Sequence, residues 1–168
     1  MSSKKLEQLL IDCIQENKES VYRLAFSYVK NQQDALDIVQ ESIRKSFTSV
    51  SALKNETVIK SWFFRIVVNT SLDFLRKNKR IQLVDDETME MISPGTEDQY
   101  ANLDLEKAME ELPNKYRVIV ILRFFEDMKI EEISAVLNEK ISTVKTRLYK
   151  ALRLLKEQLS DEELEEVQ

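Results

Sequence analysis

Apolar residues recur at intervals of three and four along most of the chain, the spacing that gathers them on one face of an α-helix. Leu6, Leu9, Leu10, Cys13 and Ile14 form the first such stripe, and Val21, Leu24, Ala25 and Tyr28 form the second. Residues 31–33 interrupt the pattern with polar side chains, and Asp34 is placed to cap a third helix over residues 35–47. That helix turns Ile38, Val39 and Ile43 inward and leaves Asp37, Gln40, Glu41 and Arg44 on its polar side. After a polar loop over 49–57, the run Trp62-Phe63-Phe64-Arg65-Ile66-Val67-Val68 has the local composition of a strand. Its setting predicts a helix over 58–79. The segment holds no turn signal, is far longer than an ordinary strand, and repeats Trp62, Ile66, Asn69, Asp73 and Arg76 at helical intervals.

Periodicity lapses over 81–102, around Ser93-Pro94-Gly95, and resumes at Leu103. Pro113 stands at the start of a helix carrying Val118, Ile119, Ile121, Leu122 and Phe125. Ile130, Ile133 and Leu137 supply the core of a short helix, and Asn138 sits just past its end, where a left-handed residue is needed. Residues 142–156 then divide into two faces. Val144, Leu148, Ala151, Leu152 and Leu155 make a packing stripe; Thr143, Thr146, Lys150 and Arg153, flanked by Ser142, Arg147 and Tyr149, offer hydroxyls and cations without a carboxylate. Residues 129–156 therefore read as a helix-turn-helix whose second helix is fitted to phosphates and base edges. The expected architecture is all-α: a first helical domain over 1–82, a flexible acidic linker over 83–102, a second helical domain over 103–160, and an acidic tail over 161–168.

Composition narrows the chemistry. The single glycine and two prolines leave almost none of the turn residues an all-β or Rossmann-like chain requires, and no phosphate-cradling loop. Histidine is absent, which removes the usual general base and the commonest zinc ligand. Cys13, alone and inside an apolar stripe, forms no intramolecular disulfide or cluster. No nucleophile, base and oxyanion donors assemble from these motifs, so neither an enzyme nor a cofactor is expected. No stretch approaches membrane-spanning length, so the chain is expected to be cytoplasmic rather than an integral membrane protein.

The net charge of −5 hides a segregated distribution. Residues 76–80 carry +4 and residues 140–156 carry +6, whereas residues 85–111 carry −9 and the tail from Glu157 carries −6. One acidic segment separates the two basic patches and the other follows the second. Residues 85–111 are placed to shield one of the patches in the free chain.

At this point several blocks, in order, resemble the extracytoplasmic-function sigma factors of bacterial RNA polymerase, over residues 10–159. Residues 34–42, Asp-Ala-Leu-Asp-Ile-Val-Gln-Glu-Ser, are similar to the family helix that docks on the polymerase clamp. Residues 62–69 with Asp73-Phe74-Leu75-Arg76-Lys77 resemble the segment that melts and reads the minus-ten element. Leu112-Pro113, Arg117, Leu122-Arg123, Glu132-Ile133 and 143–151 resemble region 4. The details are similar to the sigma-V type of Gram-positive bacteria, which answers cell-envelope stress. Three positions depart from the family pattern: Leu36 replaces an acid, Lys140 stands where a serine cap is frequent, and Ser142 stands where glycine is frequent.

The resemblance implies a transcription initiation factor that binds core RNA polymerase at its clamp helices and flap region, together with promoter DNA and a membrane-bound anti-sigma factor. It assigns Thr143, Lys145, Thr146, Arg147, Tyr149 and Lys150 to a minus-thirty-five element, with Thr143 and Arg147 positioning the backbone. Trp62, Asn69, Asp73, Arg76, Lys77, Lys79 and Arg80 fall to the minus-ten element, with Asn69 at the pocket for a flipped base. Asp37, Gln40 and Glu41 become the polymerase contact. From the residues alone, Trp62 reads equally as core, and the Asp37 strip as an ordinary solvated face. An autonomous helix-turn-helix regulator and a helical adaptor that binds protein only are the competing functions; the latter would show no salt-sensitive DNA affinity.

Overall fold

The structure is a computed structural model that describes residues 2–82 and 103–167, with side chains described for 2–79 and 105–160. The 83–102 linker expectation and the side chains of the 161–168 tail lie outside the described residues. Eight α-helices account for nearly all of the rest, and no strand occurs among the described residues.

Helix α1 (Ser3–Glu16) starts where Ser2 Oγ accepts the Lys5 N–H, and it buries Leu6, Leu10 and Cys13 along one stripe. Asn17 closes it, its Nδ2 donating to the Cys13 carbonyl at 2.7 Å, and α2 (Lys18–Val29) follows directly. Lys30 takes a left-handed backbone, φ 53°, which stops α2 and redirects the chain. Helix α3 (Gln32–Ser49) then begins earlier than the pattern predicts. Its cap is Asn31, whose Oδ1 accepts the Asp34 N–H at 2.9 Å, so Asp34 sits in the first turn and complements the helix dipole. Two short 3-10 turns, Val50–Ala52 and Glu56–Val58, fill the polar loop before α4 (Ile59–Gln82).

The strand-like run 62–68 is helical, as its length predicts. Phe63, Phe64, Val67, Val68, Thr70 and Ser71 are all buried, an arc wide enough for α4 to pack on α2 and α3 with one side and on α7 with the other. A helix with two neighbours needs more apolar positions than a single stripe. That is why its composition resembles a strand.

In the second domain α5 (Leu103–Glu111) leads through Pro113 into α6 (Asn114–Val120), which continues as a π-helical turn over Ile121–Phe125. Helix α7 (Ile130–Leu137) ends at Asn138, left-handed at φ 53°, ψ 46°, as the sequence requires. Helix α8 (Ile141–Val167) completes the helix-turn-helix. Ala108, Leu112, Tyr116, Val120, Ala151 and Leu155 make a core between α5, α6 and α8. Ile119, Leu122, Met128, Ile133, Val136 and Val144 belong instead to the cluster that contains Leu24, Ile38, Phe63 and Val67. The two domains are packed directly on each other, which no periodicity predicts.

Candidate nucleic-acid interface

On α8, Val144, Leu148, Ala151 and Leu155 are buried, and the opposite face is open. Leu152, counted with the packing stripe by its spacing, is 38% exposed at that stripe's edge. Lys145, Thr146, Tyr149 and Lys150 are all exposed, Tyr149 most fully at 70%. Thr146 Oγ1 donates to the Ser142 carbonyl at 2.9 Å, which fixes the rotamer and leaves the hydroxyl oxygen and methyl group outward. The helix starts at Ile141, and Lys140 supplies the carbonyl that accepts the Val144 N–H. Thr143 is half-buried.

Two partners on this face have no signal in the sequence pattern. Arg147 Nη1 meets Glu139 Oε1 at 3.3 Å, so this cation is joined to the turn that introduces its helix. Lys150 Nζ lies 5.5 Å from the Tyr116 ring centroid, and Lys115 Nζ lies 5.1 Å from the same ring. Hydrogen bonding to Lys150 holds the Tyr116 phenol below its ordinary range. Tyr116 thus links α6 to the recognition face, and Lys115 extends the cationic surface.

On α4, Trp62, Asn69 and Arg76 follow one another at seven-residue intervals along one stripe, with Arg65 and Asp73 beside it. Asn69, Asp73, Arg76, Lys77 and Lys79 are exposed; Trp62 is half-buried, its ring against the edge of the core. The side chain of Arg80 lies outside the described residues. Arg76 Nη1 meets Asp73 Oδ1 at 3.0 Å. The stripe joins an aromatic surface, an amide and cations on one rigid helix.

The third set sits closer to the second than the sequence indicates. Asp37 and Glu41 of α3 share a cleft of about 290 Å³ with Asp73 and Lys77 of α4. Lys45 crosses it, donating to Thr70 Oγ1 at 3.3 Å and approaching Asp73 Oδ2 to 3.9 Å. Arg44 Nε donates to Glu41 Oε2 at 3.0 Å, a hydrogen bond that holds the Glu41 carboxyl below its ordinary pKa. Gln40 is exposed on the same side. A more apolar groove of about 600 Å³, lined by Ile14, Tyr22, Phe26, Leu36 and Val39, borders α3 on the other flank, with Phe26 and Leu36 exposed. Leu36, the departure from the acidic family pattern, is one wall of that groove.

Residues 13–81 match the family described as Sigma-70 region 2, and residues 102–155 match Sigma-70, region 4. The chain is 57% identical to the RNA polymerase sigma factor SigV of Bacillus subtilis, over 93% of this chain and 94% of that protein. It is a sigma factor of the extracytoplasmic-function group.

The sigma factor is also 28% identical to the extracytoplasmic-function factor SigW of Bacillus subtilis, over 89% of this chain and 88% of that one. Among solved structures, the fold is shared with the sigma factor RpoE of Bartonella quintana in complex with the anti-sigma factor NepR, at TM-score 0.77 and 24% identity over 94% of this chain and 98% of that chain. As a sigma factor it binds core RNA polymerase and directs promoter-specific transcription initiation. Among the described residues no helix is long and apolar enough to cross a membrane.

Proposed function

We propose that the sigma factor divides promoter recognition between its two domains. Residues 103–160 take the minus-thirty-five element, with Lys145, Thr146, Tyr149 and Lys150 making the base and groove contacts and Thr143 and Arg147 positioning the DNA backbone. Residues 1–82 bind the polymerase core and melt the minus-ten element. Asn69 receives an unstacked base there, Trp62 offers a stacking surface, and Asp73, Arg76, Lys77, Lys79 and Arg80 follow the strand. Asp37, Gln40 and Glu41, beside the apolar groove, meet the polymerase clamp, while the flap region meets the second domain. An acidic linker over 83–102 joins the two domains, and an acidic tail covers 161–168.

The observation that carries this reading is the exposure of both cationic faces on separate helices whose other sides pack into the core. A membrane-bound anti-sigma factor, release under cell-envelope stress, a cytoplasmic site of action and the lack of any reaction of its own complete the proposal. The experiment is transcription from a cognate promoter with sigma-free core polymerase. Thr146→Ala and Lys150→Ala damage use of the upstream element, whereas Asn69→Ala damages strand opening; identical defects in both sets would refute the division.

A further inference from the structure

Two lysines from different helices meet over one ring. Tyr116 of α6 packs with Ala108, Leu112, Ala151 and Leu155 in the core of the second domain and is only 6% exposed. Lys115, its neighbour on α6, places Nζ 5.1 Å from the ring centroid, and Lys150 of α8 places Nζ 5.5 Å from the same centroid. Both lysines are exposed. Hydrogen bonding from Lys150, with Lys115 adding to it, holds the phenol below its ordinary pKa. Among the described residues neither lysine has a carboxylate partner, whereas Arg147 on the same helix is paired with Glu139.

A lysine stem lying on an aromatic ring needs no explanation beyond packing. Two on one ring are different. They hold like charges near each other with no acid between them, and Lys115 stands in the first turn of α6, where a cation works against the helix dipole. An anion facing both lysines offsets these costs. Position decides which anion. Lys150 shares its side of α8 with Thr146 and Tyr149, so Lys115, over the same ring, flanks the recognition face. The major groove is about 12 Å wide and a helix with its side chains about 10–12 Å across, so α8 fills the groove. A cation on the adjoining helix then meets the groove wall, which is phosphate.

We propose that Lys115 is a further promoter contact, on a backbone phosphate beside the upstream element, and that Tyr116 is a positioning residue that aims Lys115 at this phosphate and Lys150 into the groove. The proposal rests on the reading of α8 as the helix that takes the upstream element. Helix α6 then contributes to DNA binding as well as to the core. A ring and phenol fixed by packing hold the ends of two flexible four-carbon stems before DNA arrives, which reduces the side-chain entropy lost on binding.

The test uses the full-length chain and anisotropy titrations on two duplexes, one holding the upstream element and one with that element scrambled, across a salt series. Lys115→Ala is expected to weaken binding to both duplexes by the same factor, several-fold at low salt, and to make the log-log salt slope shallower by about 0.9, one phosphate contact. Lys115→Arg restores both. Lys150→Ala lowers the preference for the upstream element over the scrambled duplex. Tyr116→Phe keeps the ring, lowers the same preference, and adds no further loss in the Lys150→Ala background. Helicity and melting temperature confirm that each variant is folded; should Tyr116→Phe unfold, the two variants of the exposed Lys115 still decide the contact. An unchanged slope in Lys115→Ala, or a loss from Tyr116→Phe that adds in full to that of Lys150→Ala, would overturn the proposal and leave the reading of α8 in place. A parent chain that prefers neither duplex would overturn the reading of α8, and this inference with it.

Discussion

Arg147 Nη1 stands 3.3 Å from Glu139 Oε1, so the recognition helix is tied back to the turn that introduces it. Both side chains are about one-third exposed, and such a pair contributes about 0.5–1 kcal/mol. Its larger consequence is for DNA, because a phosphate must compete with Glu139 for the same guanidinium. Glu139→Ala is expected to lower stability slightly and to raise affinity for an upstream-element duplex at low salt, because the guanidinium no longer has to leave a carboxylate to meet a phosphate. Anisotropy titrations across a salt series measure it. Unchanged affinity would mean that Glu139 does not compete with DNA for Arg147.

Two tyrosines contribute to the alkaline limb of stability in opposite directions. Tyr116 is held below its ordinary value of 10.0 by hydrogen bonding to Lys150, so ionising it favours the fold. Its contribution is absent at neutral pH, grows as pH rises through the depressed value, and is complete above the ordinary one. Tyr28 is raised above the ordinary value by burial, so its contribution is present below that value and is lost as pH climbs through the raised one. Absorbance titration is expected to show Tyr116 ionising early and Tyr28 late. Tyr116→Phe removes the early step, Lys150→Met moves it upward, and Tyr28→Phe delays alkaline unfolding; an early step unaffected by Lys150→Met would show that the cause lies elsewhere.

Trp62 is the only tryptophan and lies half-buried on the stripe that carries Asn69 and Arg76, so its emission reports on that face alone. Single-stranded minus-ten oligonucleotide is expected to quench it saturably, and upstream-element duplex to leave it unchanged. If a base stacks on the ring, Trp62→Phe retains most of the affinity and Trp62→Ala loses about 1–3 kcal/mol. Asn69→Ala slows open-complex formation and leaves upstream binding intact. Quenching by both ligands alike would contradict the division between domains.

What the sequence disclosed and what it withheld follow from range. Periodicity over 58–79 settles α4, and Asn138 settles the turn before α8, because both depend on residues within one or two turns. The start of α3 is missed by three residues since Asn31 and Asp34 are both good caps and their spacing alone does not decide between them. Recognition-face residues are legible as a cationic helix face, but Tyr116 under Lys150 lies 34 positions away and carries no local sign. The sharing of one cleft by Asp37, Glu41, Asp73 and Lys77 requires knowing how α3 lies on α4. Lys60 and Glu126, 66 positions apart, are further still beyond any pattern.

Arg117 shows how much can rest on one such long-range contact. It appears in the sequence as one basic residue of a motif, whereas in the fold its three nitrogens serve four backbone carbonyls at the ends of two helices. Burial lowers its pKa from the ordinary value, and the carbonyl dipoles around it make the charged form tolerable. Arg117→Met keeps the apolar stem but orphans those carbonyls, and is expected to cost about 3 kcal/mol or more, a fall in melting temperature of roughly 6–12 °C for a chain of this size. Arg117→Lys should rescue little, because one ammonium cannot reach both helix ends at once. Thermal unfolding of the two variants decides the matter: full rescue by lysine would mean that charge alone, not the forked geometry, holds α2 to α5.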